Sequence, residues 1–74
     1  MNGLEIYQKL RPGERGSLTF QGKTDDAPAW LAFGVKVSAL RAMAAEGLIR
    51  IDREHNEAQS GASHIDMVIF TRLS

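Results

Sequence analysis

The chain has 74 residues, no cysteine and a formal net charge of zero, with nine basic and nine acidic side chains. This length is enough for one domain, and the lack of cysteine excludes disulfides and thiolate–metal sites. No apolar run approaches the roughly 18 residues of a membrane span, and the N-terminus lacks the basic-then-apolar pattern of a signal peptide. We therefore expect a cytoplasmic domain without a membrane partner.

The first predicted element is a helix over residues 3–10. Asn2 is a suitable N-cap, and Glu5 three residues later completes a capping box. Apolar residues then recur at spacings of three and four, which is typical of one helical face. The helix should end before Pro12 and Gly13, which suit a type II turn.

A short strand and a second helix are expected next. Residues 17–21 alternate between apolar and polar side chains, which favours a strand. Asp25 or Asp26 can cap a helix over residues 26–33, and Pro28 falls in its first turn, where proline is tolerated.

Gly34 leaves two structures open. It is either the turn between two helices or a residue inside one long helix, where glycine costs about 1 kcal/mol relative to alanine. We favour the turn, followed by a third helix over residues 36–46. Gly47 is then a good C′ residue in the left-handed conformation, and Leu48 can make the apolar contact of a Schellman ending.

The C-terminal part of the chain predicts a β-hairpin. Its strands are expected over residues 48–54 and 65–73, and a polar loop over residues 55–64 joins them. Val68 and Phe70 make the second face of the last strand apolar. We therefore expect that face to be covered by the short first strand or by a second subunit.

The middle of the sequence resembles bacterial winged helix-turn-helix regulators of the GntR and MarR type. The resemblance rests on three short runs: Phe33-Gly34-Val35, Ala39-Leu40-Arg41 and Ala45-Glu46-Gly47-Leu48-Ile49. It implies an α+β fold with three helices, a short strand and a C-terminal two-stranded β-hairpin wing. The interval from Gly34 to Gly47 is about one helical turn shorter than in those regulators. The resemblance also implies DNA binding and a role in transcription regulation.

In a DNA-binding domain of this type, the last helix enters the major groove and its first residues read base edges. The predicted DNA contacts come from this helix and from the wing: Lys36, Ser38, Arg41, Arg50 and Arg53. Further contacts are expected from loop residues Asn56, Gln59, Ser60 and Ser63 and from the cations Lys9, Arg11, Arg15 and Lys23. We expect a homodimer, because one small module gives little affinity for DNA.

The alternative is a protein-interaction module that uses the same scaffold without binding DNA. Asp52, Glu54 and Glu57 lie on the wing, where carboxylates would be repelled by phosphates. An apolar patch around Trp30, or around Val68 and Phe70, would then contact a protein. The two functions can be distinguished by the charge of the surface. DNA binding needs a continuous basic face that no carboxylate of the wing interrupts.

Other chemistries have little support in the sequence. His55 and His64 bracket the loop and could join a nearby carboxylate at a metal, but two histidines in a polar loop are more often surface residues. Trp30, Phe33 and Tyr7 could stack on a ligand, but a chain this short needs its aromatic residues in the core. No catalytic motif is present, so we expect neither an enzyme nor a cofactor.

Overall fold

The protein has an α+β fold in a computed structural model that describes residues 2–23, 25–58, 61 and 64–74. The described elements, in chain order, are α1 (Gly3–Lys9), β1 (Arg15–Thr19), α2 (Ala27–Ala45), β2 (Ile49–Asn56) and β3 (Ile65–Arg72). The predicted strands are therefore present with shifted ends. None of the described helices is both long and apolar enough to cross a membrane.

Both ends of α1 have the hydrogen-bond partners that a helix end needs. The Asn2 side chain accepts a hydrogen bond from the backbone N–H of Glu5 (2.9 Å), as the capping pattern predicts. At the other end, the Arg72 guanidinium donates to the carbonyl oxygens of Tyr7 (3.2 Å) and Leu10 (2.6 Å). It also lies 4.3 Å from the centre of the Tyr7 ring. The end of β3 thus anchors the end of α1.

The described strands form one antiparallel sheet in the order β1-β3-β2, so β3 is central. Leu18 of β1 lies opposite Val68, and Ile51 of β2 lies opposite Phe70. The register shifts between Ile51 and Arg53, which leaves Asp52 as an extra residue in β2. This bulge turns the Asp52 carboxylate toward its neighbours on the outer face of the sheet.

Helix α2 packs across the inner face of the sheet and forms the core with it. The buried cluster joins residues of α2 and of the sheet: Phe33, Val37, Leu40, Leu18, Ile49, Val68 and Phe70. The apolar face that contains Val68 and Phe70 is therefore the core face, and α2 covers it. The expectation that β1 or a second subunit covers it is wrong, since β1 pairs beside β3 in the same sheet.

Gly34 lies inside a helix, so the predicted turn at this position is wrong. A single helix, Ala27–Ala45, replaces the helices predicted over residues 26–33 and 36–46. Trp30, Phe33, Val37 and Leu40 follow one another at spacings of three, four and three, and all are buried. This continuous face crosses Gly34, and its burial outweighs the roughly 1 kcal/mol by which glycine disfavours a helix.

The ends of α2 agree with the sequence prediction. Asp26, one of the two expected caps, accepts a hydrogen bond from the N–H of Ala29 (3.0 Å). At the other end Gly47 has a φ of 80°, and the N–H of Leu48 donates to the carbonyl of Met43 (3.1 Å). These contacts are those of a Schellman ending, and they direct the chain from α2 straight into β2.

Candidate interaction surface

The three helix residues predicted to read DNA do not all lie on one surface. Lys36 and Arg41 are five positions apart, which places them about 140° apart around α2. Lys36 lines a groove with Ile6 and Leu18 on the side of α1 and β1. Ser38 and Arg41 line a different groove on the opposite flank, next to the end of the hairpin loop.

Arg41 is bound to a carboxylate of the hairpin. Its Nε lies 3.2 Å from Oε1 of Glu54, and its Nη2 lies 2.9 Å from Oε2. The two side chains are 53% and 28% exposed. The hydrogen bond to Glu54, and then its negative charge, raise the pKa of Arg41 further above its ordinary value. To contact a phosphate or a guanine, Arg41 would have to give up this bidentate ion pair with Glu54.

Arg50 is also paired with a carboxylate. Asp52 accepts hydrogen bonds from Nε of Arg50 (2.7 Å) and from Oγ1 of Thr71 (2.5 Å), and Nε of Arg15 lies 3.4 Å away. The hydrogen bond from Thr71, followed by that from Arg50, lowers the pKa of Asp52 below its ordinary value. This carboxylate therefore carries a negative charge at neutral pH and offsets part of the positive charge of its two neighbouring arginines.

Arg50 and Arg53 lie on the face of the sheet that points away from α2. Arg50 pairs across the ladder with Thr71, and Arg53 pairs with Ile69, whereas the inward-facing Ile51 pairs with Phe70. Arg53 is exposed and has no ion pair among the described residues. The predicted DNA contacts thus divide between two flanks of α2 and the far side of the sheet.

The wing residues have separate roles. Nδ1 of His55 lies 2.7 Å from Oδ1 of Asp66, while the ring of His64 stacks on Trp30 with its centre 4.6 Å away. No group of His, Asp and Glu suited to a metal occurs among the described residues. Gln59, Ser60 and Ser63 lie outside the part of the chain that the structure describes, and Asn56 is the last residue of β2.

An aromatic column ties the hairpin loop to the core. The ring of Phe20 stacks on Trp30 with 3.6 Å between ring centres, and His64 stacks on Trp30 as well. Trp30 is only 8% exposed, and Val68 and Phe70 are fully buried. These three side chains therefore form no exposed patch of their own, and the expected place of Trp30 and Phe33 in the core is confirmed.

The two most exposed large apolar side chains among the described residues, Leu31 and Val35, lie on α2. Six exposed residues follow one another along the side of α2 away from the sheet, at spacings of three and four: Pro28, Leu31, Val35, Ser38, Ala42 and Ala45. We call this set the outer stripe. Leu31 is 75% exposed and Val35 is 67% exposed. The predicted turn at Gly34 hides this pattern in the sequence, because Leu31 then belongs to a helix and Val35 lies outside both predicted helices.

Two shallow grooves flank the outer stripe. One is bounded by Trp30, Gly34 and His64, and the other by Leu4, Ala39 and Met43. Both include Val35, which forms the ridge between them. A ridge of apolar side chains between grooves is the form of surface that another helix can pack against.

Comparison of the chain with protein-family models, with curated proteins and with solved structures finds no match.

Proposed function

We propose that this chain is a protein-interaction module whose contact surface is the outer stripe of α2, and that its partner presents an apolar helix of low charge. The observation that carries the proposal is the exposure of Leu31 and Val35 on a helix whose other side forms the core. A helix that is apolar on both sides is normally covered on both sides. Burial of one such side chain contributes about 1.5–3 kcal/mol.

The chemistry of the outer stripe fits protein better than DNA. Its six residues carry no charge and include one hydroxyl, that of Ser38. Base edges in the major groove are read by hydrogen-bonding side chains, and apolar contacts there reach only the thymine methyl group. The basic residues near the stripe offer little compensation, since Arg41 is paired with Glu54. Wing carboxylates thus interrupt the basic face that DNA binding needs.

Site-specific photo-crosslinking in cells tests the proposal. A photoreactive amino acid at Ala39, which is exposed beside the outer stripe, should give discrete protein adducts. The same group at Thr19, which is exposed on the sheet, serves as the matched control. Leu31→Glu should abolish the adducts from position 39, because it places a charge in the contact. Equal adducts from both positions, or none from position 39, would refute the proposal.

The second candidate is the DNA-binding regulator that the winged-helix resemblance implies. The specific observation in its favour is the order of elements, in which a helix and a strand precede the helix that leads into a hairpin. Its contacts would come from Lys36, Ser38, Arg41, Arg50 and Arg53. In such a DNA-binding domain, the single helix α2 would replace the two helices of the usual helix-turn-helix motif.

A salt titration of binding to mixed-sequence duplex DNA tests the second candidate. Binding that weakens steeply with salt gives the number of phosphate contacts from the slope. Glu54→Gln should then strengthen binding, because it releases Arg41 from its carboxylate partner. No amide shifts at low salt with duplex in excess would exclude this function and leave the protein-interaction proposal intact.

A further inference from the structure

We infer that the occupant of the outer stripe is a second copy of this chain, with the two α2 helices packed antiparallel about a two-fold axis between Val35 and Ser38. The inference rests on the proposed function and names its partner. A two-fold interface uses the same patch on both copies, so the patch must be complementary to itself. The outer stripe meets this requirement in the sizes of its side chains and in its lack of charge, and α2 is long enough to form the contact.

The sizes of the exposed side chains carry the argument. The two large residues of the outer stripe, Leu31 and Val35, lie in its N-terminal half. The C-terminal half has only small ones: Ser38, Ala42 and Ala45. An antiparallel pair sets Leu31 opposite Ala42 of the second copy and Val35 opposite Ser38 of the second copy. Each large side chain then meets a small one, and the helices can approach closely.

The parallel arrangement lacks this complementarity. It would place Leu31 against Leu31 and Ala42 against Ala42 of the second copy. The helices would then be held apart at one end and leave a gap at the other, and gaps forfeit packing contacts. The order of large and small residues along α2 therefore selects the antiparallel orientation.

Charge does not oppose self-association. All residues of the outer stripe are uncharged, and the whole chain has a formal net charge of zero, so two copies do not repel each other through net charge. The charged residues of α2 are Lys36 and Arg41. Lys36 is half-buried and lines both the groove shared with α1 and β1 and the groove beside Val35, but it is not part of the outer stripe, and Arg41 is held by Glu54.

The length of α2 limits the size of the dimer interface. Its 19 residues span about 28 Å. Two such helices in contact bury on the order of 1,000 Å² in total, which is the size of a weak or transient interface. We therefore expect a dimer that dissociates in the micromolar to submillimolar range.

Sedimentation equilibrium from about 10 µM to 1 mM tests the inference. The apparent mass should rise from 8.1 kDa toward twice that value. Leu31→Glu should weaken dimerisation at least ten-fold, while Leu73→Glu, at another exposed leucine outside the stripe (47% exposed), should leave it unchanged. Circular dichroism confirms that both variants are folded. A folded chain that stays monomeric at 1 mM, or a dimer insensitive to Leu31→Glu, overturns the inference.

Disulfide trapping tests the orientation, since the chain has no cysteine of its own. Leu31→Cys and Ala42→Cys variants are mixed and oxidised. The antiparallel pair predicts that the mixed disulfide forms faster than either symmetric one, because the two positions face each other. A faster symmetric disulfide at position 31 would overturn the antiparallel arrangement.

The two proposals fail in different ways. A folded monomer that still crosslinks from Ala39 to another protein overturns self-association and retains the protein-interaction function. A folded monomer without crosslinks overturns both.

Discussion

Glu54 on β2 holds the guanidinium of Arg41 on α2 through both of its carboxylate oxygens, at 2.9 and 3.2 Å. The pair joins the helix to the hairpin at the edge of the core, 13 residues apart in sequence. Arg41 therefore has a role in the fold that does not require a ligand.

This pair should contribute only modestly to stability. A double-mutant cycle with Arg41→Ala and Glu54→Ala should give a coupling free energy of about 0.5–1 kcal/mol, because both side chains are partly exposed to solvent. The coupling should fall in 1 M salt as screening increases. Urea unfolding followed by the fluorescence of Trp30, the one tryptophan of the chain, measures it. A coupling unchanged by salt would contradict a mainly electrostatic contact.

Asp52 should make stability depend on pH in the acidic range. Its pKa is lowered in the folded protein by the hydrogen bonds from Thr71 and Arg50. A lowered folded pKa stabilises the protein above the unfolded value of about 3.9, and this contribution is lost as pH falls through the folded pKa. Asp52→Asn should thus lower the urea midpoint at pH 7 and lower it less near pH 2. An equal loss at both pH values would show that the ionised carboxylate is not responsible.

Gly34→Ala should stabilise the protein by about 0.5–1 kcal/mol, because alanine favours a helix over glycine. A Cβ at this position would meet no atom within 4 Å beyond its chain neighbours and the adjacent backbone of α2. Thermal unfolding at low protein concentration measures the change. Were Gly34 instead a turn between two helices, the same substitution would destabilise the protein, so the sign of the effect separates the two structures.

Gly3→Ala should destabilise the protein, in contrast to Gly34→Ala. A Cβ on Gly3 would collide with the Leu40 side chain, which is fully buried where α1 meets α2. We expect a loss of about 1–3 kcal/mol from overpacking, measured by the same thermal unfolding. A neutral result would show that α1 is less closely packed on α2 than the structure indicates.

Arg72→Ala should loosen α1 from the sheet. The substitution removes the donor to the carbonyls of Tyr7 and Leu10 and the stacking on the Tyr7 ring. Because the donor is charged, we expect the loss of these hydrogen bonds to lower the free energy of unfolding by about 1–3 kcal/mol. Hydrogen exchange should show faster opening of the α1 amides than of the β2 amides. Uniform acceleration throughout the chain would indicate a general loss of stability instead.

The features that the sequence predicts correctly are the helix ends, because these depend on residues that are close together in the chain. Asn2 and Asp26 cap their helices through residues three positions away, and Gly47 ends α2 within one turn. Gly34 was not predictable in the same way. Its conformation depends on whether the residues on both sides of it pack on the same sheet, which is a property of the tertiary structure.

The candidate site was missed for the same reason. The sequence groups Lys36, Ser38 and Arg41 at the start of a helix that the structure does not have, and on the longer helix Lys36 lies on a different flank from Ser38 and Arg41. The pairing of Arg41 with Glu54 depends on the close approach of α2 and β2. The bulge at Asp52 likewise has no local sequence signal, yet it determines where Arg50 finds its partner.

The central position of β3 in the sheet has a consequence for biosynthesis. Neither β1 nor β2 has a strand to pair with until residues 65–72 have left the ribosome, because the two flanking strands pair only through β3. Until then α2 has no completed sheet to cover, and both of its apolar faces are exposed to solvent. The nascent chain therefore passes through a stage in which the apolar side chains of the future core have no partner to pack against.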